Sequence, residues 1–460
     1  MKRRVVIIGG GIAGMAAALR VAEAGDLPIV IETRKRLGGR ATSFRDPRND
    51  QLLDNCQHVM MGCCTNLMDF YERLGVGDSF EWYTETYWAN PPHEPDVMRP
   101  GLLPAPAHFT GSFLRMRFLD LKMKRQIARA MHRMIRIGLT GRGAYVDRTF
   151  LEFLQETGQS EEVIDLFWRV VVVSACNLDV DQVGASFAMQ VFQEGFLGHP
   201  FASAVGLSRI PLEHLYDPFE SVLEKVGGSL HLGTSAMGIA FDGARVTGVV
   251  TSDGVIDGSA VISSVPFDRL ARLCSTAMVD ADSRLRKLDS IEVSPILGVH
   301  LFFDARIMTL PHLVLPGRST HWLFNKGVDA DGRQHVHAVI SGADSWMSLS
   351  ESEIVERVLE DIHWALPASQ GLEPSACRSV KEKRATFRAV PGLDRIRPAA
   401  ESGLGIPNLA IAGDWADTGW PATMEGAVRS GYRAAAAVSD SDGLVPDLPL
   451  SFGARMLGLR

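Results

Sequence analysis

The sequence predicts an α/β fold that opens with a parallel βαβ unit, and three observations carry that reading. A short apolar run from Arg4 to Ile8 leads into GGGIAG, and an Ala-rich helical pattern spans Met15 to Glu23. Pro28 to Glu32 then returns as a second apolar run. Strand, glycine loop, helix and strand in that order form a βαβ unit. With 460 residues the chain is long enough for two lobes, each with its own core. Charged residues make up 22% and hydrophobic residues 46%, with net charge -7, which excludes a disordered chain and a nucleic-acid-binding body.

The remaining elements follow in order. Asn66 to Leu74 reads as helix, and the Pro-loaded tract from Trp88 to Pro106 as loop. Phe113 to Leu139 is helical and two-sided: Lys122, Arg125, Arg129, Arg133 and Arg136 share one face, opposite Leu119, Met123, Ile127, Met131 and Met134. Further helices are expected at Ile164 to Val173, Leu215 to Val226 and Ser352 to Ala365. Ser229 to Val265 alternates short strands with glycine turns, Pro295 to Phe303 and Val336 to Ser341 read as strands, and Asn408 to Ala412 is a last strand before an Ala-rich helix. There are no internal repeats. No uncharged apolar stretch reaches the ~18 residues of a membrane span, so if a membrane matters the protein lies on it. The basic start, MKRRVVIIGGGIAG, is a strand rather than a signal peptide, because glycines break its apolar run and no small-residue cleavage site follows. Six scattered cysteines suggest reduced thiols and a cytoplasmic setting.

Gly9, Gly11 and Gly14 satisfy G-x-G-x-x-G, with Ile12 and Ala13 inside the motif. The first glycine allows a tight turn, the second lets backbone approach a pyrophosphate, and the third lets the helix pack on the strand. Glu32, followed by Thr33 and Arg34, ends the next strand at the separation of ~20 residues where a carboxylate accepts ribose hydroxyls. The unit is therefore of the Rossmann type. Near the other end, Pro421 suits the first position of a helix, which would leave the N–H groups of Ala422, Thr423 and Met424 and the positive end of the helix dipole facing a bound group.

Two further segments carry a resemblance. RKRLGGRATS, containing Gly38, Gly39 and Arg40, resembles the second glycine-rich signature of the flavin amine oxidase and phytoene desaturase superfamily, and Gly413-Asp414 resembles its C-terminal flavin motif. Within that superfamily, Asp54-Asn55-Cys56-Gln57-His58, Gly62-Cys63-Cys64-Thr65-Asn66 and Thr418-Gly419-Trp420-Pro421-Ala422-Thr423-Met424-Glu425-Gly426-Ala427 look like the hydroxysqualene dehydroxylases of bacterial hopanoid pathways. The likeness runs from Lys2 to about Ala437 and is dense only at the two ends. Cys56 stands where many relatives have Gly, and Ala236 where the superfamily often has Val against the adenine.

The resemblance implies an amine-oxidase-like fold: a discontinuous FAD-binding domain (1–75, 211–270 and 391–440), an inserted α+β substrate domain (76–210, helical and membrane-facing, and 271–390, an antiparallel sheet) and a tail (441–460). It implies FAD, with Arg40 at the pyrophosphate, Asp414 at the ribityl and phosphate region, Ala236 at the adenine and the Pro421 helix at the flavin N1/C2=O edge. The activity implied is reductive removal of the hydroxyl of hydroxysqualene to give squalene, on a hydrophobic isoprenoid substrate. Loss of water from an allylic alcohol needs a proton donor beside a hydride source. His58 is the first candidate donor, Asp54 its orienting partner, and Gln57 a hydroxyl-positioning group; Asp417 and Glu425 are reserves. Against this stand a turn-capping Asp54 and a structural His58. Cys56, His58, Cys63 and Cys64 lack paired zinc-ligand spacing, so no metal is expected. The basic tract from Arg115 to Arg136 is either a solvated helix or an interfacial one on anionic lipid at the inner face of the cell membrane. Rival functions are a phytoene-type desaturase running hydride transfer the other way, an amine oxidase, and a non-catalytic flavoprotein. No second nucleotide motif follows a strand, so the electron donor stays open.

Overall fold

A computed structural model describes residues 2–401 and 403–460. Strand β1 (Arg4–Ile8), helix α1 (Ile12–Glu23) and strand β2 (Leu27–Glu32) form the expected unit, with α1 starting three residues earlier than the Ala-rich pattern. β1 is buried from Val5 to Ile8, as a parallel strand covered on both faces must be. The sheet is all parallel, in the order Ser229–Leu232, β2, β1, Ala260–Ser263, Leu409–Ile411, so one sheet gathers strands from across the chain. Its last strand is followed by the helix Met424–Val438, which packs along α1. Gly431 lies against Ala13 and Ala17 there, where a β-carbon would come within 2.3 Å of the Ala13 carbonyl.

A second sheet of seven strands runs Ala376–Phe387, Val293–Phe303, Gln334–Ser341, Trp322–Val328, His312–Val314, Thr86–Asn90, His93–Met98. Its last two strands correct the expectation of a loop from Trp88 to Pro106. Pro91 and Pro92 sit at the hairpin tip, and Pro95 lies on the outermost strand, where a missing N–H costs no ladder bond. Asp96 secures the hairpin by accepting from Asn90, Arg117 and Phe118.

The expected helix from Phe113 to Leu139 is two helices. Thr110–Arg115 ends, the chain turns, and Leu121–Gly141 restarts with Asp120 as its cap, accepting the Met123 N–H at 2.7 Å. Gly138 leaves helical geometry near the end of the second. Its predicted two-sidedness is present: Met123, Ile127, Ala130 and Met134 are buried, and Lys122, Arg125, Arg129, Arg133 and Arg136 are exposed. All six cysteines are free thiols. No helix among the described residues is long and apolar enough to cross a membrane.

Candidate active site

A cavity of about 960 Å³ runs from the βαβ loop to the face of the seven-stranded sheet. At its nucleotide end the glycine loop does three separate jobs. Gly9 holds φ +109, and Gly14 sits so close to it that a β-carbon would lie 2.0 Å from the Gly9 carbonyl. Gly14 therefore does not line the cavity; it sets the closeness of α1 to β1. Gly11 lines it with extended backbone and nothing nearer than 3.9 Å to an added β-carbon. Open space there is what a diphosphate requires.

The Glu32 carboxylate accepts the Gly10 N–H at 2.7 Å and the Arg34 N–H at 2.8 Å, which fixes it at the carboxyl end of β2. Gly38 bonds back to the Gly10 carbonyl at 2.9 Å, so the second glycine loop is tied onto the first. Arg40 pairs with Asp414 and donates to the Ala385 carbonyl at 2.9 Å. Burial works against the Arg40 charge and the Asp414 carboxylate outweighs it, so its pKa is raised. One contact thus joins chain segments 374 residues apart.

Ile12, Ala13, Thr33, Arg34, Gly39, Ala236, Gly413, Pro421, Ala422, Thr423 and Met424 also lie on this cavity. Pro421 is not the first residue of its helix. The helix starts at Met424, and Thr423 caps it through Oγ1, which accepts the Gly426 N–H at 3.0 Å. The unpaired N–H groups and the positive dipole end still face the cavity, moved three residues along the chain. These residues fit a dinucleotide-linked flavin: an uncluttered backbone for the diphosphate, a carboxylate for a ribose, and a helix tip for the ring edge.

Beyond the helix tip the cavity turns apolar, walled by Trp88, Met98, Val171, Phe196, Trp322 and Phe324. His58 and Gln57 stand at the junction, but Asp54 does not line it. The Asp54 carboxylate accepts from Ser43 at 2.8 Å, the Leu212 N–H at 2.9 Å and Lys326 Nζ at 3.3 Å, and makes no hydrogen bond to His58. This corrects its expected role as the partner of His58. Gln57 is held by Lys326 through its Oε1 at 3.0 Å. His58 instead bonds through Nδ1 to the Cys56 carbonyl at 3.0 Å. A carbonyl only accepts, so Nδ1 carries the proton and Nε2 keeps a lone pair. Burial lowers the His58 pKa, which keeps the ring neutral. In this state His58 is an acceptor, not the proton donor that the sequence suggested.

Glu425 is occupied by the Leu67 N–H, Asn66 and Arg429, and Asp417 is exposed away from the cavity. Cys56, Cys63 and Cys64 line the cavity; burial pushes Cys56 up to about 12, and the Cys63 thiol, then burial, raises Cys64. Among the described residues no group of three or more His, Cys, Asp or Glu could hold a metal.

Two residues were missed by sequence reasoning. Glu382, on Ala376–Phe387, lines the cavity close enough to influence His58, Arg40 and Cys56, and its carboxylate makes no protein hydrogen bond among the described residues. Lys326 reaches Asp54 and Gln57 from Trp322–Val328. Both come from an antiparallel sheet whose register the sequence does not display.

Comparison with known proteins places this geometry. The family described as flavin containing amine oxidoreductase matches residues 12–439. The chain is 27% identical to the hydroxysqualene dehydroxylase of Sinorhizobium fredii over 95% of its own length and 98% of that protein. It is 25% identical to a 15-cis-phytoene desaturase of Narcissus pseudonarcissus, over 94% of this chain and 79% of that one. An oxidoreductase from Methanosarcina mazei shares the fold, with a TM-score of 0.71 at 21% identity, covering 93% of this chain and 98% of that chain. The chain belongs to the flavin containing amine oxidoreductase family and is an FAD-dependent oxidoreductase of the amine oxidase and desaturase superfamily.

Proposed function

We propose that this enzyme removes the hydroxyl of hydroxysqualene reductively to give squalene. The observation that carries the reading is the junction itself: an apolar corridor meets the flavin end of the cavity beside a neutral His58 acceptor and an otherwise unpartnered Glu382 carboxyl group. Reduced FAD supplies the hydride when bound. The chain's residues do the rest. His58 Nε2 accepts the hydroxyl hydrogen and fixes the alcohol's orientation, and Gln57, held by Lys326, flanks it. Glu382 is the candidate proton donor to the alcohol oxygen as the C–O bond breaks and water leaves, and reduced FAD would supply the hydride that quenches the resulting allylic cation. The apolar walls keep bulk water from trapping that cation. Similarity to the Sinorhizobium fredii dehydroxylase supports this direction.

One observation favours a second reading, desaturation of a polyene precursor. A neutral imidazole with a free Nε2 is a competent proton acceptor, as a desaturase needs after hydride has left the substrate. Anaerobic incubation separates the two. Dithionite-reduced enzyme is expected to convert hydroxysqualene to squalene, with E382Q at least about 10²-fold slower at unchanged flavin content. Unchanged hydroxysqualene, together with phytoene conversion by the oxidised enzyme, would overturn the proposal.

A further inference from the structure

Seven of the twelve exposed large apolar side chains among the described residues fall in two short segments. Leu102, Leu103 and Leu114 belong to the strap that follows the edge strand His93–Met98 and Leu121 opens the basic helix directly after it, while Phe452, Met456 and Leu457 belong to the C-terminal helix Phe452–Leu457. The two segments touch. Ser451 Oγ donates to the Ala105 carbonyl at 2.5 Å, and Gly453 backs onto Ala105 so closely that a β-carbon would lie 2.8 Å from its oxygen. The strap also binds the basic helix: Lys124 Nζ donates to the Leu114 carbonyl at 2.8 Å. The C-terminus closes the far end, with the Leu139 N–H donating to the Arg460 carbonyl at 2.8 Å.

Charge on this surface runs against the rest of the molecule. Residues 99–142 hold ten Lys and Arg and a single acid, Asp120, within a chain of net charge -7. Asp120 is spent as a helix cap. Among the described residues Arg115, Lys122, Arg125, Arg129 and Arg136 have no carboxylate in ion-pair range, and the C-terminal helix adds Arg455 with no acid of its own. Apolar side chains standing in water beside uncompensated cations suit one occupant, an anionic phospholipid bilayer, which takes the former into its acyl boundary and the latter at its headgroups.

We propose that the strap, the basic helix and the C-terminal helix form one bilayer-docking face, with Leu102, Leu103, Phe452 and Met456 inserted. The surface leads into the site. Met98, immediately before the strap, lines the cavity, and Phe109 within the strap packs at 6.4 Å, ring to ring, on Phe196, which also lines it. An apolar substrate leaving the bilayer here meets the corridor wall without crossing water. That part rests on the proposed function; the docking does not.

The test uses the full-length, FAD-loaded protein and sedimentation with vesicles of phosphatidylcholine alone or with added phosphatidylglycerol. Wild type is expected to sediment with the anionic vesicles and to be released by salt. L102S/L103S and F452S/M456S are each expected to partition about tenfold more weakly, and R125E/R129E to lose the preference for phosphatidylglycerol. These side chains are exposed, so melting temperature and bound flavin should match wild type. The proposal is overturned if wild type stays in the supernatant with both vesicles, or if the leucine and phenylalanine variants sediment as wild type does. It is equally overturned if light scattering shows a dimer that L102S/L103S converts to monomer without any vesicle binding, since the face would then meet a second copy. Turnover of detergent-dispersed hydroxysqualene, measured on the same variants, reports separately on the chemistry.

Discussion

Replacing Gly11 and Gly14 in turn by Ala should separate two jobs that one motif combines. A β-carbon at Gly14 would lie 2.0 Å from the Gly9 carbonyl oxygen and 2.5 Å from Ser264 Oγ. Ordinary contact needs more than 3 Å, so α1 must move away from β1 by about 1 Å, into a core packed too tightly to absorb it. Overpacking of this kind costs roughly 1–3 kcal/mol, at the upper end where backbone must shift. At Gly11 the same methyl meets nothing closer than 3.9 Å, and the backbone is already extended, so the fold should accept G11A within about 0.5 kcal/mol. The methyl would nonetheless stand where the diphosphate must approach the backbone. If it costs about 3 kcal/mol of contact there, FAD affinity falls about 150-fold. Two measurements decide: denaturant unfolding of flavin-free protein, and titration of that protein with FAD followed by quenching of flavin fluorescence. G11A should unfold like wild type and bind weakly; G14A should be impaired in both. Wild-type FAD affinity in G11A would refute the placement of the diphosphate over this loop.

Acid should destabilise the fold through its buried histidines. Burial pushes His300 and His321 down to about 4, and His321 Nδ1 accepts the Ser341 N–H, so both are neutral when folded. Between pH 6.5 and about 4 the unfolded chain binds protons that the native chain does not, so stability falls as pH falls through that window, by up to about 3 kcal/mol for each. Unfolding free energy measured across the window should show that slope, and H321Q should flatten it; a flat wild-type profile would contradict the assignment. T423A removes the cap from the helix whose start lines the cavity and should cost about 1 kcal/mol. In the proposed placement of the flavin this helix end would stabilise negative charge on the reduced ring, so the midpoint potential measured by spectroelectrochemistry should fall; an unchanged potential would place the ring elsewhere.

The parts of this protein that could be read from its sequence are those fixed by local constraints. Gly9, Gly11, Gly14 and Glu32 lie within one βαβ unit, where a tight turn, a close approach and a helix contact each dictate a residue at a set spacing. The basic face of Leu121–Gly141 was legible for the same reason, since a helical period of 3.6 residues sorts side chains by sequence alone. Trp88 to Pro106 misled because Pro is a turn signal in isolation, whereas an outer strand tolerates it, and whether a strand is outermost is a property of the whole sheet.

Glu382 shows why the chemistry was harder to read than the cradle. Its strand, ACRSVKEKRATF, alternates charge and small residues with no motif, and nothing local distinguishes Glu382 from Lys383 or Arg384. What brings it to His58 is pairing across the sheet, where Ile296 opposes Glu382, together with the Arg40 to Asp414 contact that draws the cradle against Ala385. Lys326, at a break in the pairing of Trp322–Val328 with Gln334–Ser341, reaches Asp54 and Gln57, and Asp54 makes no hydrogen bond to the imidazole it neighbours in sequence. Proximity along the chain suggested an Asp54 and His58 pair; proximity in space gives His58 a backbone carbonyl for Nδ1 and leaves Nε2 open. In the proposed dehydroxylation the proton donor is therefore sought outside this segment, at Glu382 on Ala376–Phe387, and that division between acceptor and donor depends on sheet pairing that neither segment displays alone.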